Sequence, residues 1–276
     1  MNRLSSILGC LLLLVMCSLQ AATPLAKPFL IGVAPHTSAR IIIEMYQPLR
    51  NHLEKTLQQP VEIVTAPDFT EFARRAMAKQ YDLVVTTGHQ VRLLQSDAAY
   101  LPLLTYQADF RAVLLVAADS PYHRPADLAG TTVFGLSPSS LVTLWGQHWL
   151  HRNAVPNVTL SYTSASDSTV ALVLKGTGSA AFISFPNYHS LPAALQGRVR
   201  FLDESLPMAG RVYALAPRQS MRKTAIETAL WAFAKTPEAQ AYFTRFKLEG
   251  YRPLKARELV EMEPYANEVR QLLKRP

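Results

Sequence analysis

The chain has 276 residues, 49% of them hydrophobic and 17% charged, and a formal net charge of +8. That length and apolar content support one or two packed cores, since domains run to roughly 100–200 residues, and no low-complexity tract or solenoid repeat interrupts them. The basic residues are scattered, with only short pairs such as Arg74-Arg75 and Lys274-Arg275, and they do not interleave with aromatic residues as a stacking platform requires, which excludes nucleic acid as a partner.

The first segment reads as a secretory signal peptide over 1–22: Arg3 supplies a positive start, Ile7 to Met16 is an unbroken apolar or small run, and Ser18 to Ala22 ends in small residues. The run is shorter than the roughly 20 residues a membrane-spanning helix needs. Leu14-Val15-Met16-Cys17 matches a lipoprotein motif only weakly, because Met16 is bulky where a small residue is wanted. Cys10 and Cys17 both fall in this segment, so the exported chain holds no cysteine, which excludes thiol catalysis and thiolate metal sites.

Strand and helix patterns then alternate. Phe29 to Ala34 is a short apolar strand ended by Pro35. From Thr37 to Leu57 the apolar spacing is helical, through Ile42, Met45, Tyr46, Leu49 and Leu53, with Thr37 or Ser38 able to cap its start. Val61 to Thr65 is the next strand, and Phe69 to Lys79 a helix with Asp68 or Thr70 near its cap. Tyr81 to Thr86 is a strand, followed by a short helix after Gly88. This β-α-β-α-β order marks a mostly parallel sheet covered on both faces.

The pattern changes register near residue 108, where Leu101 to Tyr106 and Arg111 to Ala117 are strands joined by a link too short for a helix. After a turn-rich break at Pro125 to Gly130, a second α/β run follows: strand Thr132 to Leu136, helix Ser139 to Arg152, strand Val158 to Tyr162, helix Ser168 to Leu174 and strand Ala180 to Phe185. Val199 to Leu202 and Val212 to Leu215 are the last strands, and from Met221 onward the chain reads as helical, broken at Pro237, Gly250, Pro253 and Pro264. Two α/β units joined by extended strands predict a hinged clamp, with one lobe formed by 23–108 plus 206–276 and the other by 109–205. A cleft between lobes is a favoured ligand site, and hinge closure a known motion of this architecture.

The order and spacing of several short segments resemble the phosphate/phosphite/phosphonate-binding proteins of ABC transporters, the PhnD-like group within the type II periplasmic binding fold. The segments are Gly32-Val33-Ala34-Pro35, Tyr46-Gln47-Pro48-Leu49, Ala66-Pro67-Asp68-Phe69, Tyr81-Asp82-Leu83-Val84, Asp127-Leu128-Ala129-Gly130, Ser137-Pro138-Ser139-Ser140 and Gly250-Tyr251-Arg252-Pro253. The resemblance implies an α/β, two-lobed type II clamp, each lobe a mixed, mostly parallel sheet flanked by helices, with C-terminal helices. It implies a periplasmic receptor that captures a small ligand, an oxyanion of phosphorus, and hands it to a membrane permease or reports it to a sensor kinase. It implies no catalysis and no cofactor.

Ligands of such sheets gather beyond the carboxyl ends of the strands. His36 and Thr37 follow the first strand, and Thr86, Thr87 and His89 end the third, where each offers donors; surface or capping roles stand beside ligand contact for all of them. Gly88 lets the backbone approach a neighbour closely. Asp68 reads as a helix cap. Tyr106 and Phe110 fall near the first hinge, as cleft wall or core, and Ser184 and Asn187 end a second-lobe strand. Ser139 and Ser140 open a helix after Pro138; the residues alone favour an N-cap at Ser139, and the resemblance implies ligand contact for both, at a helix start suited to anions. Two departures stand out. The family's polar continuation is replaced by Leu141-Val142, and Asp167 stands in a loop where a histidine is expected. An acidic group there repels a dianion unless it is protonated or paired, and admits a ligand bearing a hydrogen-donating group. No nucleophile elbow or zinc-helix motif is present. His148 and His151 lie on one helix face, but Trp145 and Trp149 flank them, so the spacing reads as packing, not as a metal site.

Overall fold

The short apolar runs read above pair into two sheets. A computed structural model describes residues 27–274, so the leader segment with Cys10 and Cys17 lies outside the described residues. The strands are β1 (Phe29–Val33), β2 (Val61–Val64), β3 (Leu83–Thr87), β4 (Leu101–Tyr106), β5 (Ala112–Ala117), β6 (Thr132–Gly135), β7 (Thr159–Tyr162), β8 (Ala180–Ser184), β9 (Val199–Glu204), β10 (Arg211–Leu215) and β11 (Tyr251–Arg252). One sheet has the order β11-β4-β10-β3-β1-β2, the other β7-β6-β8-β5-β9. The chain leaves the first sheet after β4 and returns to it at β10.

The helices are α1 (Ala39–Leu57), α2 (Phe69–Met77), α3 (Gly88–Ala98), α4 (Leu141–Arg152), α5 (Ser166–Leu174), α6 (Phe185–His189), α7 (Ala193–Gln196), α8 (Lys223–Phe233), α9 (Pro237–Arg245) and α10 (Glu263–Lys274). Parallel pairing needs a crossover helix. It occurs where α1, α2, α4 and α5 supply one: β1 with β2 and β3, and β6 with β7 and β8. The strands that carry the chain between sheets pair antiparallel instead, β5 with β8 and β9, and β10 with β3 and β4. That direction matters for the site, because β10 brings its first residue, Arg211, beside the last residue of β3, Thr87.

Alternation on β1 sends Phe29, Ile31 and Val33 to one face, where they meet Ile42, Met45, Leu49 and Leu53 of α1 and Ile226, Leu230 and Phe233 of α8. The opposite face joins a cluster that runs without a break into the second sheet, from Phe72, Val84 and Val212 to Leu114, Trp145 and Phe182. Helix α4 lies directly on β8, since a Cβ at Gly146 would sit 2.5 Å from the Phe182 ring. Leu144 of α4 inserts among Ala73, Leu93, Ala266 and Val269 of α2, α3 and α10. The lobes are therefore in contact. Among the described residues, no helix is long and apolar enough to cross a membrane.

Among the α-helices and strands of the described residues, three small ones are absent from the sequence reading. α6 and α7 are five and four residues long, too short for a periodic pattern. β11 is a two-residue strand that follows Gly250, whose φ of +93° turns the chain, and it pairs Tyr251 with Tyr106. The chain after Met221 thus holds three α-helices and this added edge strand, joined by turns at 246–250 and 253–259.

Candidate functional site

The site is built where the carboxyl ends of β1, β3 and β8 meet the amino end of β10. The inner cleft is lined by His36, Phe69, Thr87, Phe110, Leu136, Ser140, Leu141, Val142, Ser184, Asn187 and Arg211. Its free volume is about 20 Å³, room for roughly one water molecule. His36, Asn187 and Arg211 also line a wider groove of about 680 Å³ that spans both lobes and includes Thr37, Arg40, Glu44, Ser166, Asp167, His189 and Arg245.

Arg211 is the central charge. It is only 9% exposed. A guanidinium remains protonated, and burying it unpaired is costly. Among the described residues, no carboxylate oxygen lies within 4.0 Å of it. Its polar partners are the His36 ring, 2.9 Å away, and the Met45 sulfur at 3.8 Å, and its Cζ lies 5.4 Å from the centre of the Tyr106 ring. Burial works against its charge, but Tyr46, Tyr106 and Tyr242 outweigh that and raise its pKa above the ordinary value.

The partners of His36 fix its tautomer. The Ala34 carbonyl can only accept, so Nδ1 carries the proton and donates to it across 2.9 Å. Arg211 can only donate, so Nε2 receives its N–H. Burial first, then the Arg211 charge, hold the His36 pKa well below its ordinary 6.5. His36, read in the sequence as a donor beside the first strand, is thus neutral and turns an acceptor toward Arg211, which the sequence reading did not single out and which carries the charge.

The facing lobe supplies dipoles. Ser140 is the N-cap of α4, its hydroxyl accepting from the Thr143 N–H at 3.4 Å and donating to the Thr143 hydroxyl at 2.8 Å. The cap is thus Ser140 and not Ser139. The first N–H groups of α4 have no carbonyl one turn back, and Leu141 and Val142 border the cleft. The apolar pair that replaces the family's polar continuation therefore still presents backbone donors. Ser184 caps α6 by accepting from Asn187 N–H at 3.3 Å. The Asn187 amide donates to Ser166 Oγ at 2.6 Å and to the His36 carbonyl at 3.0 Å.

Several expected contacts fall elsewhere. Thr86 is fully buried and donates to Gln90 Oε1 at 2.7 Å; Gln90 in turn donates to the Phe69 carbonyl, so Thr86 braces β3 against α3 and does not reach the cleft. His89 spends both nitrogens: Nε2–H donates to the Ser139 carbonyl at 2.9 Å, and Nδ1 accepts from the Thr87 hydroxyl at 3.1 Å. Burial lowers its pKa to about 4, against a small upward effect of the Ser139 carbonyl, so His89 is a neutral bridge between lobes and not a ligand donor. The Ser139 hydroxyl is taken by Thr70 Oγ1 at 2.9 Å and Ser137 Oγ at 3.2 Å, which makes Ser139 part of the same bridge. Tyr106 is buried, and its hydroxyl meets those of Tyr46, Tyr213 and Tyr242. Phe110 does wall the cleft. Thr37 and the exposed Asp167 line the outer groove, away from the inner cleft. Asp68 caps α2, accepting from Thr70 and Glu71 N–H at 2.7 and 2.9 Å. Gly88 makes its close approach to the chain itself: a Cβ there would lie 2.3 Å from that of Ala209, in the segment returning between lobes. His148 donates to Glu268 at 2.6 Å and stacks on Tyr265.

A family model for the periplasmic phosphonate-binding protein of ABC transporters matches residues 31–259. Among solved structures, PhnD1 of Prochlorococcus marinus in complex with methylphosphonate superposes with a TM-score of 0.78 at 12% identity, covering 89% of this chain and 99% of that one. A binding-protein component of an ABC phosphonate transporter from Pseudomonas aeruginosa gives 0.75 at 12% identity, over 91% and 90%. A Xanthomonas citri protein bound to chloride gives 0.73 at 20% identity, over 88% and 99%. The likeness is one of fold, the two-lobed type II periplasmic binding architecture. Comparison with curated proteins gives no match.

Proposed function

The chain belongs to the family of periplasmic phosphonate-binding proteins of ABC transporters, a non-enzymatic role, and from that premise we propose that it captures a phosphorus oxyanion between its lobes, with Arg211 as the charged anchor. The observation that carries this reading is the buried guanidinium at the cleft with no carboxylate partner. A buried charge of this kind is stabilised by an incoming anion through charge-assisted, bidentate hydrogen bonds. The first N–H groups of α4 and the Ser184 hydroxyl, which accepts from the Asn187 backbone N–H and keeps its own proton, are placed to complete the oxygen shell, and the Asn187 side-chain N–H joins them when the lobes part and it leaves the His36 carbonyl. The inner cleft of about 20 Å³ is too small for an oxyanion, so the ligand enters with the lobes parted and the cleft re-forms around it.

The outer groove favours one member of the class. His36, Asn187 and Arg211 border both spaces, so a headgroup held by Arg211 can send a substituent outward. An organic phosphonate uses that path, whereas phosphate and phosphite do not. Methylphosphonate bound to the Prochlorococcus neighbour is consistent with this choice. The oxyanion is the cargo, and the membrane permease the partner that receives it.

The test is a thermal-shift and calorimetric panel of methylphosphonate, aminoethylphosphonate, phosphate, phosphite and sulfate. A bound phosphonate at 100 times its Kd stabilises the protein by roughly 2.7 kcal/mol, and Arg211→Met should abolish that response. Binding of a phosphonate that is unchanged in Arg211→Met would sink the assignment.

A further inference from the structure

We propose that Tyr46 and Tyr106 position Arg211 in place of a carboxylate, so that the guanidinium is held in one orientation but left unneutralised for the ligand; this rests on Arg211 being the anion anchor. Five phenols from five elements converge behind it: Tyr46 on α1, Tyr106 on β4, Tyr213 on β10, Tyr242 on α9 and Tyr251 on β11, all buried. Tyr213 stands two residues beyond Arg211 on the same strand, hence on the same face. The Tyr106 ring faces the guanidinium at 5.4 Å, within the range of a cation–π contact, and the Tyr46 ring stands edge-on to the His36 imidazole that accepts from Arg211, 6.4 Å between ring centres.

The hydroxyl protons in this network have a direction. Each phenol has one proton to give. The Tyr106 hydroxyl donates to that of Tyr46 at 3.3 Å. Having given its proton, Tyr106 must accept from Tyr213, at 2.6 Å, and from Tyr242. Tyr213 has then spent its own proton, so Tyr251 donates to it at 2.8 Å. Every O–H dipole thus points along the chain from Tyr251 and Tyr242 toward Tyr46, and aligned hydrogen bonds polarise one another. The chain thus ends at Tyr46, whose ring packs against the imidazole that accepts from Arg211. Burial raises the pKa of Tyr106, Tyr213 and Tyr242 well above 10, so the network stays neutral. A carboxylate in the same place would form a buried ion pair that the ligand would have to displace; neutral phenols stabilise the cation and leave its charge in force.

The experiment reads Arg211 directly and then the ligand. In the ligand-free protein, the Arg211 Nε–Hε resonance, assigned by its loss in Arg211→Lys, should exchange slowly with solvent. In Tyr46→Phe and Tyr106→Leu that exchange should quicken, and methylphosphonate affinity should fall about tenfold. Tyr106→Phe keeps the ring face and should fall between them and the wild type; it also stands in if Tyr106→Leu does not fold. The control is Tyr100→Phe, which removes a buried phenol bonded to the Ala76 carbonyl, remote from Arg211; it should lower thermal stability and leave Arg211 exchange and affinity unchanged. If Tyr46→Phe and Tyr106→Leu behave like Tyr100→Phe, the positioning role is overturned while Arg211 remains the anchor. If the wild type binds no oxyanion but Arg211 exchange still depends on the two tyrosines, the positioning role stands and the ligand assignment falls.

Discussion

The two lobes bring unlike chemistry to one cleft. The six-stranded side contributes the single charge, Arg211, with the neutral His36 against it and phenols behind it. To the inner cleft, among the described residues, the five-stranded side contributes only uncharged groups: the start of α4 capped by Ser140, the Ser184 hydroxyl and the Asn187 amide. The difference explains how the clamp can be shut with so little space inside. Two positively charged jaws would repel each other when empty. One charged jaw facing one of dipoles does not, and side-chain bonds can hold the lobes together: His89 and Thr70 to Ser139, and Asn187 to His36. Division of labour follows from the same asymmetry. The arginine jaw attracts the anion over distance, and the hydroxyl jaw adds short-range contacts only on closure.

The comparison can be broken most forcefully with acid. His89 belongs to the charged jaw yet bonds to the backbone of the other, and burial lowers its pKa from 6.5 to about 4. Over that window the folded, closed protein binds fewer protons than a state in which His89 is hydrated. Stability is therefore full above about pH 6.5 and falls as pH drops toward 4. At 1.36 kcal/mol per pKa unit, the His89 share of the loss is about 3 kcal/mol. His36 acts in the same direction, through burial and then the Arg211 charge. Denaturant unfolding at neutral pH and near pH 4 checks this, and His89→Gln should flatten the slope. Equal slopes in the variant and the wild type would mean that His89 is hydrated in the folded protein.

The dipole jaw gives a smaller effect. Ser140→Ala removes the cap of α4 at a cost of about 1 kcal/mol in stability. The same change loosens the first turn of α4, whose N–H groups border the cleft, so affinity should fall by roughly fivefold, well short of the loss in Arg211→Met. Calorimetry on both variants ranks them. Equal losses would mean that charge and dipole share the anion evenly, and that the contrast between the jaws is only one of appearance.

Much of this architecture is legible in the sequence because it rests on local patterns. The apolar run Phe29 to Ala34 ended by Pro35, the 3.6-residue spacing of Ile42 to Leu53 and the cap at Asp68 each specify an element without help from the rest of the chain. The hydroxyl jaw is legible too, since Pro138 ends a strand and the serines after it open a helix. The arginine jaw is not. A search along the carboxyl ends of parallel strands misses Arg211, because it starts a strand; only the antiparallel direction of β10 lays that start beside Thr87. One trace was available: a charged residue directly heading the wholly apolar run Val212 to Leu215. His36 and His89 are visible as residues but not as neutral groups, since their protonation is set by Arg211, Ala34 and Ser139, partners distant in sequence or reached only through the backbone. Thr86 and Ser139 offer the same hydroxyl chemistry as Thr87 and Ser140, and only packing decides which of each pair faces the cleft.

The smallest expected effect tests the contact between the jaws. Thr70 lies at the start of α2, and its hydroxyl bonds to that of Ser139 across the cleft, at 2.9 Å. Thr70→Val keeps the shape of the side chain and leaves the Asp68 cap intact, because that bond uses the Thr70 backbone N–H. It removes one interlobe hydrogen bond, worth about 1 kcal/mol, which is roughly a fivefold change in the ratio of closed to open forms. Neither jaw loses a ligand group. The ligand should therefore leave faster, while its rate of capture, set by Arg211 in the open form, stays the same. Stopped-flow kinetics separates the two rates, and small-angle scattering of the ligand-free protein should show a larger radius. If neither the off-rate nor the radius moves, the jaws are held by Leu144 seated among Ala73, Leu93, Ala266 and Val269, and the polar bridge only sets their register.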